Sequence, residues 1–206
     1  KFLKSGPGFG GSCFKKDILN LVYLAKYYGL YEVADYWRSV VEINSWQQRR
    51  VYEVIVTKLF GNLADKKIAI LGFAFKKDTN DTRESPSIEI CKNLLNEGAF
   101  LSIHDVKVSK DMIEKNLFKK LSNLDDNFEL NKSNWEYQSD LYDAIKNSDA
   151  VVLLTEWEDY KTIDWELVSK NVKSPFWLFD TRSVLKDEKI KNLGINLWQL
   201  GNSNKE

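Results

Sequence analysis

The chain has 206 residues with 30 basic and 30 acidic side chains, so its formal net charge is zero and nothing draws it in bulk toward nucleic acid or an acidic membrane surface. No apolar run is long enough to span a bilayer. A composition of 43% hydrophobic and 29% charged residues is that of a globular chain, sufficient for one large domain or two small ones.

Lys1 reads as a cut point, with any targeting segment lying upstream. Residues 1–16 read as a loop, because Gly6-Pro7-Gly8 and Gly10-Gly11 break helix and strand alike. From Asp17 the pattern turns helical: Ile18, Leu21, Val22 and Leu24-Ala25 recur at helical spacing, and Gly29 stops the segment. Tyr31 to Phe60 contains neither Gly nor Pro, and Val33, Trp37, Val40-Val41, Val51, Ile55 and Leu59 form an apolar stripe that ends at Gly61. As one helix this stretch would span ~45 Å and outrun a small domain. It would then serve as a spine that links domains and packs against a second subunit. Two helices broken near Asn44-Ser45 satisfy the same pattern.

After Asp65 strands and helices alternate. Strands are expected at 67–71, 100–103, 150–154, 176–179 and 195–198. A helix opens at Pro86 behind an N-cap at Ser85 and closes at Gly98, and helical stretches lie near 140–147 and 164–171. Residues 107–134 are polar, weakly patterned and read as an insertion. This grammar predicts an α/β fold: a Rossmann-like, doubly wound parallel sheet over 65–206, preceded by a loop and long helical segment over 1–64. A dinucleotide loop is missing. Where G-x-G-x-x-G would need its second and third glycines, the chain has Ala74 and Lys77, so Asp105, placed like a ribose-binding acid, means little without them.

Three places could carry chemistry. The first is Gly8-Phe9-Gly10-Gly11-Ser12-Cys13-Phe14-Lys15-Lys16-Asp17. Glycines permit close backbone approach to a ligand, and a nearby helix start and cations favour a thiolate over a thiol. A tight turn around a buried, inert cysteine would use the same residues. The second is Phe73 through Glu84, a charged loop between a strand and the next helix, where open α/β sheets bind ligands and where a merely solvated loop would look alike. The third is Asp180-Thr181-Arg182 after another strand. In a parallel sheet Lys76, Glu156 and Arg182 all leave the same edge, and Arg suits bidentate capture of phosphate. His104, the only histidine, reads as structural at a strand end. Cys91 reads as a small buried helical residue. Two such dissimilar cysteines make no disulfide framework and point to a reducing cytoplasm.

Phe2-Leu3-Lys4 through Asp17, Gly72 through Glu84, and Phe179 through Arg182 together closely resemble the UDP-glucose dehydrogenase family. The motifs GFGGSCF-x-KD and FKKDT-x-DTRES are long and occur in the family's order, and the similarity weakens only across about 107–134. Pro7 and Ser183 depart from related sequences but sit beside the motif positions. The resemblance implies an N-terminal Rossmann domain that binds NAD upstream of this chain, a middle helix that forms a homodimer core, and a C-terminal domain that holds a UDP-sugar. It implies two successive oxidations of the sugar's 6-hydroxymethyl group, through a cysteine thiohemiacetal and thioester. On that basis Cys13 is the nucleophile, and Asp17 assists water activation or proton transfer. Phe2, Leu3, Lys4, Gly8, Phe9 and Gly10 line the nucleotide-sugar pocket; Phe75, Lys76 and Arg182 meet UDP-glucose. Cys13, Phe14, Lys15, Lys16 and Arg83 reach toward NAD. The chain alone is expected to be inactive. Two alternatives stand beside this: a dehydrogenase of GDP-mannose or UDP-N-acetylmannosamine, and a non-catalytic UDP-sugar-binding or dimerisation module.

Overall fold

A computed structural model describes residues 5–118, 132–185, 190 and 192–202. Helix α1 (Phe14–Tyr27) and helix α2 (Tyr31–Lys58) form a helical hairpin turned at Gly29, where Leu30 N–H donates to Ala25 O at 2.8 Å. The long stretch is a single helix of 28 residues, and Asn44-Ser45 does not interrupt it. Its two ends have different surroundings. The first half packs on α1 around a small core of Val22, Ala25 and Ala34, with Trp37 against it. The second half drives Val51, Ile55 and Leu59 into the main hydrophobic core.

That core surrounds a six-stranded, wholly parallel sheet. In chain order its elements are β1 (Lys67–Leu71), α3 (Pro86–Asn96), β2 (Phe100–His104), α4 (Lys110–Leu117), β3 (Trp135–Tyr137), α5 (Leu141–Ile145), β4 (Ala150–Leu153), α6 (Glu158–Lys161), α7 (Trp165–Ser169), β5 (Trp177–Asp180) and β6 (Asn196–Gln199). The strand order is β3-β2-β1-β4-β5-β6, and the winding reverses between β1 and β4. Both of these strands run between covered faces, which is why their sequences are unbroken apolar runs, Ile68-Ala69-Ile70-Leu71 and Ala150-Val151-Val152-Leu153. The doubly wound, Rossmann-like sheet expected from the sequence is therefore present. At the start of α3, Ser85 Oγ accepts from Ser87 N–H and Pro86 takes the first helical position, as read.

Two expectations need correction. The first helix starts at Phe14, three residues before Asp17, so Cys13 stands directly ahead of its first turn. No local signal marks that start: Cys13 has helical backbone angles (φ −98°, ψ −53°) and no side-chain cap. The polar stretch 107–134 is also more than an insertion. Its first part forms α4, capped by Ser109, which buries Ile113 and Leu117, and the chain then enters edge strand β3. Met112 packs partly buried beside them, and three apolar residues in eight are too few to reveal the helix period. Residues 119–131, the rest of that stretch, lie outside the described residues.

His104 is structural. It is buried at the end of β2, its Nδ1 lies 3.1 Å from the Tyr160 hydroxyl, and that hydroxyl donates to His104 O at 3.2 Å. Burial pushes its imidazole below the ordinary range, with nearby Asp105 opposing the shift.

Candidate active site

The carboxyl ends of β1, β4 and β5 lie side by side, and the loops that leave them meet at Arg182. Its Nε donates to Leu154 O at 2.8 Å, just past β4, and one terminal nitrogen donates to Phe75 O at 3.2 Å, just past β1. Glu156 Oε2 lies 3.3 Å from the same Nε, whose hydrogen already points at Leu154. The carboxylate therefore supplies charge rather than a hydrogen bond, and its Oε2 has no hydrogen-bond partner among the described residues. Burial pushes the guanidinium below its ordinary value, and Glu156 works against that. Arg182 is thus both a cation at the sheet edge and the stitch that holds three strand ends together. Its other terminal nitrogen faces the Gly6 backbone, where an added Cβ would lie 3.1 Å away. Lys76, by contrast, is exposed and lies over the Phe75 ring, 5.2 Å from its centroid. Lys76, Glu156 and Arg182 do leave one edge of the sheet, as expected from a parallel arrangement.

The turn after β1 is closed from within. Asp105, buried at the end of β2, accepts hydrogen bonds from the backbone N–H groups of Phe73 (2.6 Å) and Ala74 (3.0 Å). It accepts three more, from Lys107 N–H at 2.8 Å, Val108 N–H at 2.9 Å and Trp157 Nε1 at 3.3 Å. In a dinucleotide site such turn N–H groups would face a pyrophosphate. Here the chain's own carboxylate takes them, so this sheet's turn does not fit a dinucleotide.

The cysteine loop docks on this edge. Gly11 N–H donates to Arg83 O at 2.8 Å, and Lys15 Nζ pairs with a Glu84 carboxylate oxygen at 2.8 Å. A Cβ on Gly10 would collide with the Glu84 carbonyl and lie 2.9 Å from Phe75 Cβ. Gly11 has φ +87°, and a Cβ there would lie 3.0 Å from two atoms of the Phe75 ring. The backbone approach that these glycines permit is therefore to the protein's own second motif, which joins the two signature stretches into one surface. On its other side the loop rests on α2. Phe9 N–H donates to Asn44 Oδ1 at 2.8 Å, Asn44 Nδ2 donates to Phe9 O at 3.2 Å, and Gln47 Nε2 donates to Gly6 O at 3.0 Å.

Cys13 emerges exposed from this scaffold, with Ser12 Oγ 3.5 Å from its sulfur. The N–H groups of the first turn of α1 leave partial positive charge around it. Asp17 is one turn on: its N–H donates to Cys13 O at 2.8 Å, which puts its exposed carboxylate on the same helix face. Phe14 follows the cysteine, Lys15 is held by Glu84, and Lys16 is exposed. Arg83 forms a fork with Asp81, its Nε at 2.9 Å and a terminal nitrogen at 2.7 Å from the two carboxylate oxygens. Its guanidinium is raised above the ordinary value first by that hydrogen bond and last by Cys13. Gly8, Phe9 and Gly10 lie between α2 and the Phe75 loop. Phe2, Leu3 and Lys4 lie outside the described residues. Cys91 is fully buried in α3, and burial pushes its thiol far up, as befits an inert packing residue. Sequence reasoning did not pick out Asn44 and Gln47, or the five-fold role of Asp105.

Comparison with solved structures defines the class first. A UDP-glucose dehydrogenase from Pyrobaculum islandicum matches 94% of this chain with a TM-score of 0.70 and 25% identity, using 38% of its own length. An NDP-N-acetyl-D-galactosaminuronic acid dehydrogenase from Methanosarcina mazei matches 97% with a TM-score of 0.72 and 25% identity, using 40% of its length. The fold is that of dehydrogenases with a Rossmann-like sheet. Family profiles narrow it: "UDP-glucose/GDP-mannose dehydrogenase family, UDP binding domain" matches residues 69–187, and the same family's central domain matches residues 1–46. UDP-glucose 6-dehydrogenase 2 of Arabidopsis thaliana is 39% identical and UDP-glucose 6-dehydrogenase 1 of Glycine max 41% identical, each across 98% of this chain. The chain belongs to the UDP-glucose/GDP-mannose dehydrogenase family. It spans 43% of the length of these two relatives. Among the described residues no helix is long and apolar enough to cross a membrane, and no cluster of His, Cys, Asp and Glu could hold a metal ion.

Proposed function

We propose that this chain is the cysteine-bearing, UDP-sugar-binding part of an NAD-dependent UDP-glucose 6-dehydrogenase that makes UDP-glucuronate. The observation that carries the reading is the docking of an exposed cysteine, at a helix start, onto the carboxyl edge of a parallel sheet whose own dinucleotide turn is closed. That edge is where open α/β folds bind ligands. NAD, bound mainly by the N-terminal domain proposed upstream, supplies the hydride acceptor for both oxidations, and Cys13, Phe14, Lys15, Lys16 and Arg83 form the face turned toward it.

The residues of this chain do the rest. After the first oxidation, the Cys13 thiolate adds to the C6 aldehyde, a C–S bond forms, and the carbonyl oxygen takes up a proton. Loss of hydride from C6 and of the hydroxyl proton turns this thiohemiacetal into a thioester. Water then adds, the C–S bond breaks, and the acid leaves with the thiolate restored. Asp17, on the same helix face, takes the proton of the attacking water. Lys76 and Arg182 anchor the diphosphate, Phe75 packs against the nucleotide sugar, and Phe2 through Lys4 with Gly8 to Gly10 close the pocket. Two unpaired cysteines, one exposed, suit a cytoplasmic location.

Calorimetric titration with UDP tests the reading. The chain is expected to bind UDP, and Lys76→Ala and Arg182→Ala are each expected to weaken binding by about 1.5–3 kcal/mol, roughly ten- to a hundredfold. Arg182→Lys restores the charge but not the planar fork, so it rescues only in part. Lys76→Ala is the cleaner variant, because Arg182 also ties strand ends together. Equal affinity in the parent and both alanine variants would refute the anchor.

The hairpin supports a homodimer. Tyr23, Tyr27, Tyr28, Leu30, Tyr31, Tyr36, Ile43 and Trp46 are each more than 40% exposed, more apolar surface than its own small core can cover. The complete protein is expected to sediment as a dimer at micromolar concentration through α2; a monomer there removes the proposed interface.

A further inference from the structure

We propose that Asn44 is a positioning residue for Cys13, and that through it the rotational setting of α2 fixes the conformation of the cysteine loop. The inference rests on the reading of Cys13 as the nucleophile. Asn44 grips Phe9 by both backbone polar groups, accepting from its N–H at 2.8 Å and donating to its carbonyl at 3.2 Å. Two bonds from one planar carboxamide set the plane of the loop backbone as well as its position. Gly8, immediately before, has φ +124°, and a Cβ there would lie 2.8 Å from Asn44 Oδ1, so the grip leaves room only for glycine. Gln47 holds Gly6 from the next turn of the same helix face. On the far side of the grip, the Phe9 ring packs at 5.0 Å on Phe14, the residue that follows Cys13. Among the described residues the Cys13 sulfur has one hydrogen-bonding neighbour, Ser12 Oγ at 3.5 Å, so its placement comes chiefly from the backbone around it. A polar helix face that merely met solvent would not have both carboxamide atoms engaged by one residue.

The test uses Asn44→Ala and the isosteric Asn44→Asp, which keeps an acceptor for Phe9 N–H but turns a carboxylate oxygen toward Phe9 O. In the complete enzyme, kcat is expected to fall about ten- to a hundredfold in Asn44→Ala, the scale of a catalytic group misplaced by about 1 Å, with a smaller rise in KM for UDP-glucose because Phe9 also lines the proposed pocket. In the 206-residue chain, alkylation of Cys13 by iodoacetamide should change in rate while the melting temperature holds, and the buried Cys91 does not compete. Asn44→Asp should shift both readouts in the same direction, and it decides the matter if the alanine variant does not fold. Unchanged kcat and alkylation overturn the proposal. So does a loss of kcat that follows a fall in melting temperature with the alkylation rate constant. Failure of the nucleophile reading shows up separately, as turnover that survives loss of the Cys13 sulfur.

Discussion

Cys13→Ser in the complete enzyme is expected to abolish the formation of UDP-glucuronate. A serine hydroxyl is far less ionised near neutral pH than a thiol, adds less readily to the aldehyde, and gives an oxygen ester that hydrolyses more slowly than a thioester. Loss of a covalent nucleophile from a group of residues acting together should lower turnover on the order of 10³-fold or more, about 4 kcal/mol of transition-state stabilisation. The measurement is NADH production together with chromatographic assay of the acid. Near-normal steady-state turnover would remove Cys13 from the chemistry. Cys91→Ser is the matched control: its side chain is fully buried on α3, so it should cost only packing, within the roughly 0.5–3 kcal/mol of ordinary point mutants.

Asp105→Ala is expected to be among the most destabilising single substitutions in the domain. The carboxylate gathers five donors from three parts of the chain, the turn after β1, the turn after β2, and Trp157 beyond β4. Removing it strands buried N–H groups of Phe73, Ala74 and Val108. With unsatisfied buried groups costing about 1–3 kcal/mol each and some relief from relaxation and water, the loss should reach about 3–5 kcal/mol. For a chain of this size that corresponds to a fall in melting temperature on the order of 10 °C. Asp105→Asn should fall between the two, since its amide can accept at one oxygen but must also present an NH₂ to donors. A melting temperature for Asp105→Ala within about 2 °C of the parent would sink this account.

The legible and illegible parts of the molecule separate by mechanism. The interior strands could be read because burial on both faces leaves an unbroken apolar run, as in Ala150–Leu153. The two signature loops could be read because glycine, cysteine and paired cations are rare in that arrangement. The partners of Asp105 and Arg182 could not, because they are largely backbone N–H and C=O groups, which every residue carries and no letter records. Asp105 is in the position of a ribose-binding acid, yet it turns inward to the place a phosphate would take. Asn44 and Gln47 escaped for a related reason. On a helix of mixed polarity they look like a wetted face, and only the fold brings the loop of Gly6 and Phe9 against them.

The single, unbroken α2 also limits how the gene can change. Asn44 and Val51 are seven residues apart, two turns of helix, and Gln48 and Ile55 repeat the spacing, so one stripe runs from the grip on the cysteine loop into the core. One codon inserted between Gln48 and Val51 would rotate everything upstream by about 100° relative to the sheet. The cysteine loop, carried round with Asn44, would then lose its docking on Arg83 and Glu84 while each end of the helix remained locally sound. Substitutions can accumulate along this helix one at a time, but a change in its length turns one end against the other and shifts it by about 1.5 Å for each residue added.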